Sequence, residues 1–240
     1  MSPTRQDSGT SAIQLALGVR LSASRRLDNF LTQGNSEALS AITQLLQGAH
    51  SGRLYLQGPC GSGKSHLLQG TCAEAAGRGG QVSYIPLAQR TEFDVQMLAA
   101  LASCDLICLD DVDAIGADRE WQRAVFNLYN EAEERGTRIL FSARREPDCL
   151  SLADLASRLQ AALRVVLKPA TDASRAAILA DRARTFGFEL DAQMQRHILQ
   201  HCSRDMHHLI QMLEDLDRYS LAVKQRVNLS LLRKFLRLRA

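Results

Sequence analysis

The chain has 240 residues, which is enough for one α/β core and a small second domain but excludes several large modules. Its 45% hydrophobic and 23% charged residues are typical of an ordinary globular protein. The net charge of +3 is too small to indicate nucleic-acid binding by itself. No apolar run approaches the length that crosses a bilayer, residues 1–7 contain no signal-peptide core, and the cysteines form no C-x-x-C pair. We therefore expect a cytoplasmic protein with reduced, buried cysteines and no membrane partner.

The N-terminal segment, residues 1–24, is predicted to be a flexible tail. Residues 1–11 are polar, and an apolar island at 13–17 is separated from the rest of the chain. Such an island is typical of a docking peptide, but its leucines are equally compatible with packing back on the folded domain.

The central part of the chain alternates strands with helices. After an amphipathic helix at 35–47, apolar strands are predicted at 53–57, 82–86, 106–110, 138–142 and 165–168. The helices between them are predicted at 65–78, 92–102, 118–135 and 152–161. This alternation indicates an α/β fold, with a parallel sheet covered by helices on both faces and a ligand site at the carboxyl ends of its strands.

After residue 169 the apolar spacing is helical throughout. Helices are predicted at 172–186, 191–202, 206–223 and 229–238. The sequence therefore predicts a sheet domain over 25–169 and a small, all-helical domain over 170–240.

A glycine-rich segment between the first strand and its helix fits the pattern G-x-x-x-x-G-K-S with Gly58, Pro59, Cys60, Gly61, Ser62, Gly63, Lys64 and Ser65. Glycines let several backbone N–H groups converge on an anion at the positive end of the helix, which His66 continues. Lys64 is expected to reach the β- and γ-phosphates, and the Ser65 hydroxyl to hold Mg²⁺. A plain glycine-rich turn would not need all of these residue types, so we expect a bound nucleotide.

Two carboxylates end the third predicted strand. Beside a phosphate loop, Asp110 is expected to hold Mg²⁺, and Asp111 to position or deprotonate an attacking water. At the end of the next strand, Ser142 or Arg144 is expected near the γ-phosphate, either as a sensor or as a loop residue without a role. Taken alone, Arg158 is typical of a solvated surface arginine.

The order of these segments, from about residue 13 to 236, resembles the AAA+ ATPases and, within them, the DnaA-related clade. Residues 27–30, which include Asp28 and Phe30, resemble the box that lines the adenine pocket in DnaA, and 109–112 resemble its Walker B segment. A narrower set of segments resembles the Hda family of regulatory inactivators of DnaA, at 113–115, 120–121, 126–130, 154–159, 204–206 and 216–218. No DnaA-type DNA-binding segment follows, which we also expect of this family.

The resemblance implies an AAA+ P-loop NTPase fold followed by a helical lid, and ADP or ATP with Mg²⁺ as cofactors. Gln14, Leu15 and Leu17 match the core of the motif by which the family binds the sliding clamp, the β subunit of DNA polymerase III. Gly18 stands where proline or phenylalanine is usual. Arg158 falls on the family's arginine finger, which acts across an interface on nucleotide held by DnaA.

One position departs from the family. His207 occupies the place of the sensor-2 arginine at the start of the third lid helix, and neutral histidine lacks both a permanent charge and the guanidinium fork. Contact with the phosphates is therefore expected to weaken unless Arg204 replaces it. This favours a nucleotide that acts as a conformational cofactor over one that is turned over quickly.

Three functions follow from these patterns. The first is a nucleotide-bound regulator that docks on the DNA-loaded clamp, reaches DNA mainly through it, and stimulates hydrolysis of DnaA-bound ATP. The second is a self-hydrolysing AAA+ ATPase, either a helicase loader or a truncated initiator. The third, which the modest charge supports least, is a nucleotide-binding DNA adaptor. A homo-oligomer is compatible with each, because AAA+ domains commonly place the nucleotide between subunits.

Overall fold

The computed structural model describes residues 25–30, 32, 34–48, 52–203 and 206–239, without the side chains of Asn29 and His207. The residues predicted to bind the clamp, Gln14, Leu15 and Leu17, lie outside the described residues, as does Arg204. The chain divides into a sheet unit, which ends at Leu167, and a helical unit, which begins at Lys168 and to which the loop residues Cys60–Ser62 are also assigned.

The sheet unit is built on parallel strands in the order β2-β3-β4-β1-β5. The strands are β1 (Arg53–Gln57), β2 (Val82–Pro86), β3 (Leu106–Asp110), β4 (Arg138–Ala143) and β5 (Leu163–Val166). The helices of this unit are α1 (Ser36–Leu46), α2 (Lys64–Gly77), α3 (Met97–Ala100), α4 (Arg119–Arg135) and α5 (Ala153–Gln160). The predicted α/β fold, a parallel sheet flanked by helices, is confirmed.

Both faces of the sheet are buried, because successive side chains of a strand point to opposite faces and each face has its own helices. On one face Ile139 and Phe141 belong to an apolar core that includes residues of α4 and α5. On the other face Leu54 and Leu140 belong to a second core with residues of α1 and α2. The central strands therefore carry consecutive apolar residues in their middle, which is why hydrophobicity located them.

The prediction of one continuous helix over 92–102 is wrong. The segment contains the short helix α3, which lies between the 3-10 helices Leu87–Glu92 and Leu101–Ser103. Phe93 is extended, with φ −126° and ψ 149°. The Asp94 carboxylate accepts a hydrogen bond from the Gln96 backbone N–H at 2.9 Å. A side chain that bonds locally to the backbone in this way competes with a helix, although the apolar spacing around it is helical.

The last strand begins and ends two residues earlier than predicted: β5 spans Leu163–Val166 and not 165–168. It lies at the edge of the sheet, and its side chains at Leu163 and Val166 are 39% and 58% exposed. An edge strand with this exposure lacks the continuous buried run by which the central strands were recognised.

None of the six cysteines, all of which lie among the described residues, forms a disulfide. Cys72, Cys104 and Cys108 are buried, as predicted. Cys60 is exposed and Cys149 and Cys202 are only partly buried, which corrects the prediction for these positions, because Cys60 lies in the loop after β1 and the other two lie at the ends of short helical elements.

The helical unit consists of α6 (Asp172–Thr185), α7 (Ala192–His201), α8 (Met206–Val223) and α9 (Leu229–Arg239), whose apolar faces form one core. Polar side chains set where two of these helices begin. Thr171 Oγ1 accepts from the Ser174 N–H at 3.1 Å, and Asp191 Oδ1 accepts from the N–H groups of Gln193 and Met194 at 2.8 and 2.7 Å. Among the described helices, none is both long and apolar enough to span a membrane.

Replacement of Asp191 by alanine is expected to destabilise the helical unit. The substitution leaves two N–H groups of α7 without their acceptor, and loss of such a cap costs about 1 kcal/mol. Urea denaturation followed by circular dichroism would measure the change. The matched control is Asp181→Ala, which removes an exposed carboxylate that lies 3.8 Å from Arg184 within α6. Equal stability of the two variants would contradict the assigned role of the cap.

Candidate functional site

Three neighbouring central strands bring the predicted nucleotide-binding residues together at their carboxyl ends, and this end of the sheet is called the carboxyl edge below. The glycine-rich loop follows β1, Asp110 is the last residue of β3, and Ala143 ends β4 between them. The Gly58 N–H donates to the Ala143 carbonyl at 3.0 Å, which fixes the start of the loop to the neighbouring strand. The carboxyl ends of parallel strands are where such sheets bind ligands.

The loop has the backbone conformation that a phosphate cradle requires. Gly61 and Gly63 have φ of +74° and +95°, in the left-handed region that favours glycine, and α2 begins directly after Gly63. The buried Lys64 ammonium donates to the carbonyls of Gly58 and Pro59 at 2.8 and 3.0 Å. This contact holds the positive charge against the loop at the N-terminus of a helix, where anions are stabilised.

Two hydroxyl side chains complete the loop. Ser65 is the second residue of α2 and is partly exposed, and a hydroxyl at this position fits the Mg²⁺ of a bound nucleotide. Ser62 is buried, and its Oγ has no hydrogen-bond partner among the described residues. An orphaned buried hydroxyl beside a lysine and a helix N-terminus fits the phosphate groups of a nucleotide.

The Asp110 carboxylate is buried and held from both sides. The Tyr84 hydroxyl on β2 donates to Oδ2 at 2.6 Å, and the Ser142 hydroxyl on β4 donates to Oδ1. Burial, and then the nearby Asp110 charge, raise the pKa of the Tyr84 phenol, so that it remains a donor. This arrangement orients a carboxylate that fits the Mg²⁺ of a bound nucleotide.

Asp111 adopts a strained backbone conformation next to this carboxylate. Its φ is +53°, which is uncommon for a residue with a Cβ, and its N–H donates to Ser142 Oγ at 2.9 Å. Burial raises the pKa of the Asp111 carboxyl above its ordinary value and Asp110 raises it further, whereas Lys64 and Arg144 partly offset the rise. A raised pKa makes a carboxylate a better proton acceptor.

The two candidate sensors on β4 differ in what they contact. Ser142 is buried and connects Asp110 to Asp111 through its hydroxyl, so its role in the structure is to tie β3 to β4. The Arg144 side chain is exposed, and its backbone N–H donates to the Asp113 carboxylate at 3.2 Å.

The segment predicted to line the adenine pocket packs against the start of α2. The Phe30 and His66 rings meet edge to face at a centroid distance of 5.6 Å, and His66 Nε2 lies 2.9 Å from the Arg26 carbonyl oxygen. A Cβ at Gly63 would lie 2.6 Å from the Phe30 ring, so glycine is required there for space as well as for φ. Asp28 is exposed, and its carboxylate pairs with Arg26 at 3.2 Å.

Arg158 lies away from this edge. It is near the end of α5, which leads into the amino end of β5, whereas the glycine-rich loop follows the carboxyl end of the parallel strand β1. Arg158 Nη1 pairs with Glu133 Oε2 on α4 at 3.3 Å, and its side chain is 45% exposed. Its guanidinium carbon is 5.8 Å from the centre of the Tyr129 ring.

Sequence reasoning missed several residues that shape these sites. The apolar spacing places Tyr84 on a strand and Glu133 on a helix, but it does not show that Tyr84 contacts Asp110 or that Glu133 contacts Arg158. Gly70 carried a usable indication, since a glycine inside a helix suggests close approach. A Cβ there would lie 3.0 Å from the Leu27 backbone nitrogen. His207 lies in α8, and its side chain is outside the description.

Two family models match the chain, one on each unit. The bacterial DnaA ATPase domain matches residues 21–168, which is more than half of the sequence. The lid domain of Hda matches residues 172–236.

Solved structures of replication and recombination proteins share the fold. Domain III of the Thermotoga maritima replication initiation protein DnaA superposes with a TM-score of 0.76 at 23% identity, over 91% of this chain and 98% of that one. AMPPCP-bound DnaA from Aquifex aeolicus has a TM-score of 0.67 at 24% identity, over 82% and 66% of the two chains. The Thermotoga maritima RuvB Holliday junction branch migration motor has a TM-score of 0.63 at 18% identity, over 89% and 72%.

The two family models together extend from residue 21 to 236, and they confirm the resemblance found in the sequence. The chain belongs to the DnaA-related family of AAA+ ATPases and is of the Hda type, with a C-terminal lid domain.

Proposed function

We propose that this chain is a nucleotide-bound regulator that stimulates hydrolysis of ATP held by DnaA and so limits initiation of chromosomal replication. In this proposal ADP or ATP occupies the loop at Gly58–Ser65, and Arg158 is supplied to the nucleotide of the partner. Membership of a DnaA-related family with an Hda lid supports a role in the control of replication.

The position of Arg158 carries the proposal. A guanidinium at the amino end of the sheet is remote from the loop at the carboxyl ends of the same strands, so it is poorly placed to act on the chain's own nucleotide. Its exposure leaves it accessible to a second protein. An arginine that stabilises charge in phosphoryl transfer across an interface contributes roughly 10³–10⁵ in rate.

The chain's own nucleotide would be held by the loop and the acidic strand end. Lys64 would exchange its loop carbonyls for phosphate oxygens, Ser65 and Asp110 would hold Mg²⁺, and Phe30 with His66 would border the base. When bound, Mg²⁺ neutralises part of the phosphate charge. The Aquifex aeolicus DnaA, which shares the fold, is AMPPCP-bound, and this supports an adenine nucleotide here.

The proposed partners are DnaA and the sliding clamp. Gln14, Leu15 and Leu17 would dock on the clamp, which would bring the chain to DNA without a large net positive charge of its own. The net charge of +3 supports this indirect contact.

A second function, a self-hydrolysing ATPase of the helicase-loader or initiator type, is favoured by one observation. Asp111 lies beside the oriented Asp110 carboxylate with a raised pKa, as a general base for water requires. Either function is compatible with a homo-oligomer that shares nucleotide between subunits.

Replacement of Lys64 by alanine is expected to weaken binding of ADP and ATP by about 10- to 100-fold, since a hydrogen bond to a charged group contributes about 1.5–3 kcal/mol. Calorimetric titration with each nucleotide in the presence of Mg²⁺ measures the change and shows which nucleotide binds more tightly. Lys234→Ala, which removes an exposed lysine on α9, is the control. Unchanged affinity in Lys64→Ala would exclude the loop as the phosphate site.

Stimulated hydrolysis tests the regulator directly. Purified DnaA with bound ATP, clamp-loaded DNA and this protein are combined, and each component is omitted in turn. Arg158→Ala is expected to lower the stimulated rate by about 10³-fold or to background. Gln14→Ala is expected to abolish the stimulation, because the protein no longer docks on the clamp.

Arg164→Ala is the control for the arginine, since Arg164 is 46% exposed and pairs with Glu146 at 3.1 Å. It should retain full stimulation. Hydrolysis by this protein alone at an undiminished rate, with DnaA-bound ATP untouched, would instead establish the self-hydrolysing ATPase.

A further inference from the structure

The guanidinium of Arg158 is held by two residues of the preceding helix. Glu133 and Tyr129 lie on α4 at i and i−4, on one face of the helix. Glu133 Oε2 accepts from Arg158 Nη1 at 3.3 Å, and the Tyr129 ring lies 5.8 Å from the guanidinium carbon. Among the described residues, Glu133 is the one that accepts a hydrogen bond from this guanidinium. The other N–H groups of the guanidinium are therefore available to a further acceptor.

The Tyr129 ring is a rigid support for this contact. Tyr129 is 4% exposed, and its ring stacks on Phe141 of β4 at a centroid distance of 6.3 Å and an interplanar angle of 19°. The guanidinium carbon of Arg53 lies 5.0 Å from the same ring. Arg53 is itself buried, and its Nη1 donates to the Thr137 carbonyl at 2.7 Å. The ring is therefore fixed by the sheet core and by a buried cation on β1.

We propose that Glu133 is a positioning residue for Arg158: together with the Tyr129 ring, it orients the guanidinium before a partner protein arrives. This inference rests on the proposed function of Arg158. Glu133 holds Nη1, which leaves Nε and Nη2 as donors for a phosphate oxygen of the partner. A free arginine side chain must give up considerable rotamer freedom to adopt one orientation, and a preformed contact reduces that loss when the complex forms.

The size of the effect is limited by exposure. The side chains of Arg158 and Glu133 are 45% and 53% exposed, so water screens their ion pair. An exposed pair of this kind corresponds to a rate effect of about two- to fivefold. The carboxylate therefore adjusts the orientation of the finger and is not itself required for hydrolysis.

The test measures stimulated hydrolysis of DnaA-bound ATP as a function of the concentration of this protein, with Glu133→Ala, Glu133→Gln and Glu146→Ala. Glu133→Ala is expected to lower the maximum rate about two- to fivefold with an unchanged half-stimulating concentration, because orientation acts within the assembled complex. Glu133→Gln retains an acceptor and should lie between Glu133→Ala and the unmodified protein. If Glu133 had a purely structural role, Glu133→Ala would lower the thermal unfolding midpoint. We expect instead that Glu133→Ala and Glu146→Ala unfold at the same temperature.

Glu146→Ala is the matched control, since Glu146 pairs with Arg164 at 3.1 Å and is 56% exposed but makes no contact with Arg158. It should leave the maximum rate unchanged. In the double variant Arg158→Ala with Glu133→Ala, the loss should equal that of Arg158→Ala alone, since Glu133 acts through Arg158.

The outcomes separate this inference from the function on which it rests. If Arg158→Ala abolishes stimulation while Glu133→Ala leaves the maximum rate unchanged or raises it, Glu133 does not position the finger, although the proposed function stands. A change confined to the half-stimulating concentration would make Glu133 a docking residue and overturn the positioning role. Full stimulation by Arg158→Ala would refute both.

Discussion

The parallel register of β3, β4 and β1 is the constraint on which the nucleotide-binding edge depends. It places the glycine-rich loop, Ser142 and Asp110 at the ends of adjacent strands, although they are far apart in the chain. Two hydrogen bonds fasten this edge: Gly58 N–H to the Ala143 carbonyl, and the Ser142 hydroxyl to Asp110. Each polar group there is positioned by a backbone that both apolar cores hold in place. The precision of the site is thus a consequence of the burial of the sheet.

The same sheet separates two groups of candidate functional residues in space. The carboxyl ends of its strands carry the glycine-rich loop and the acids, whereas Arg158 lies on the helix that leads into the amino end of β5. A strand of five residues spans roughly 15 Å, so side chains at its opposite ends lie far apart. Under the proposed function, the carboxyl end therefore receives the chain's own nucleotide, and Arg158 completes the site of a neighbour.

Most of the fold was predictable from the sequence, because central strands buried on both faces have runs of consecutive apolar residues and glycine-rich loops have a fixed pattern. The prediction was wrong where local chemistry competed with apolar spacing, as at Asp94, whose side chain bonds to the Gln96 backbone. It was imprecise at β5, an edge strand with exposed valine and leucine. The contacts of Arg158 with Tyr129 and Glu133 join different elements, and no spacing within one segment reveals such pairs.

The contact between Phe30 and Gly63 makes two distant positions interdependent. The ring occupies the space in which a side chain at position 63 would lie, and the backbone at 63 has a φ that disfavours any residue with a Cβ. A smaller residue at 30 would leave this part of α2 uncovered, and a larger one at 63 would displace the ring. The segment at 27–30 therefore helps to set the shape of the phosphate loop, and the two segments act as one structural unit in this chain.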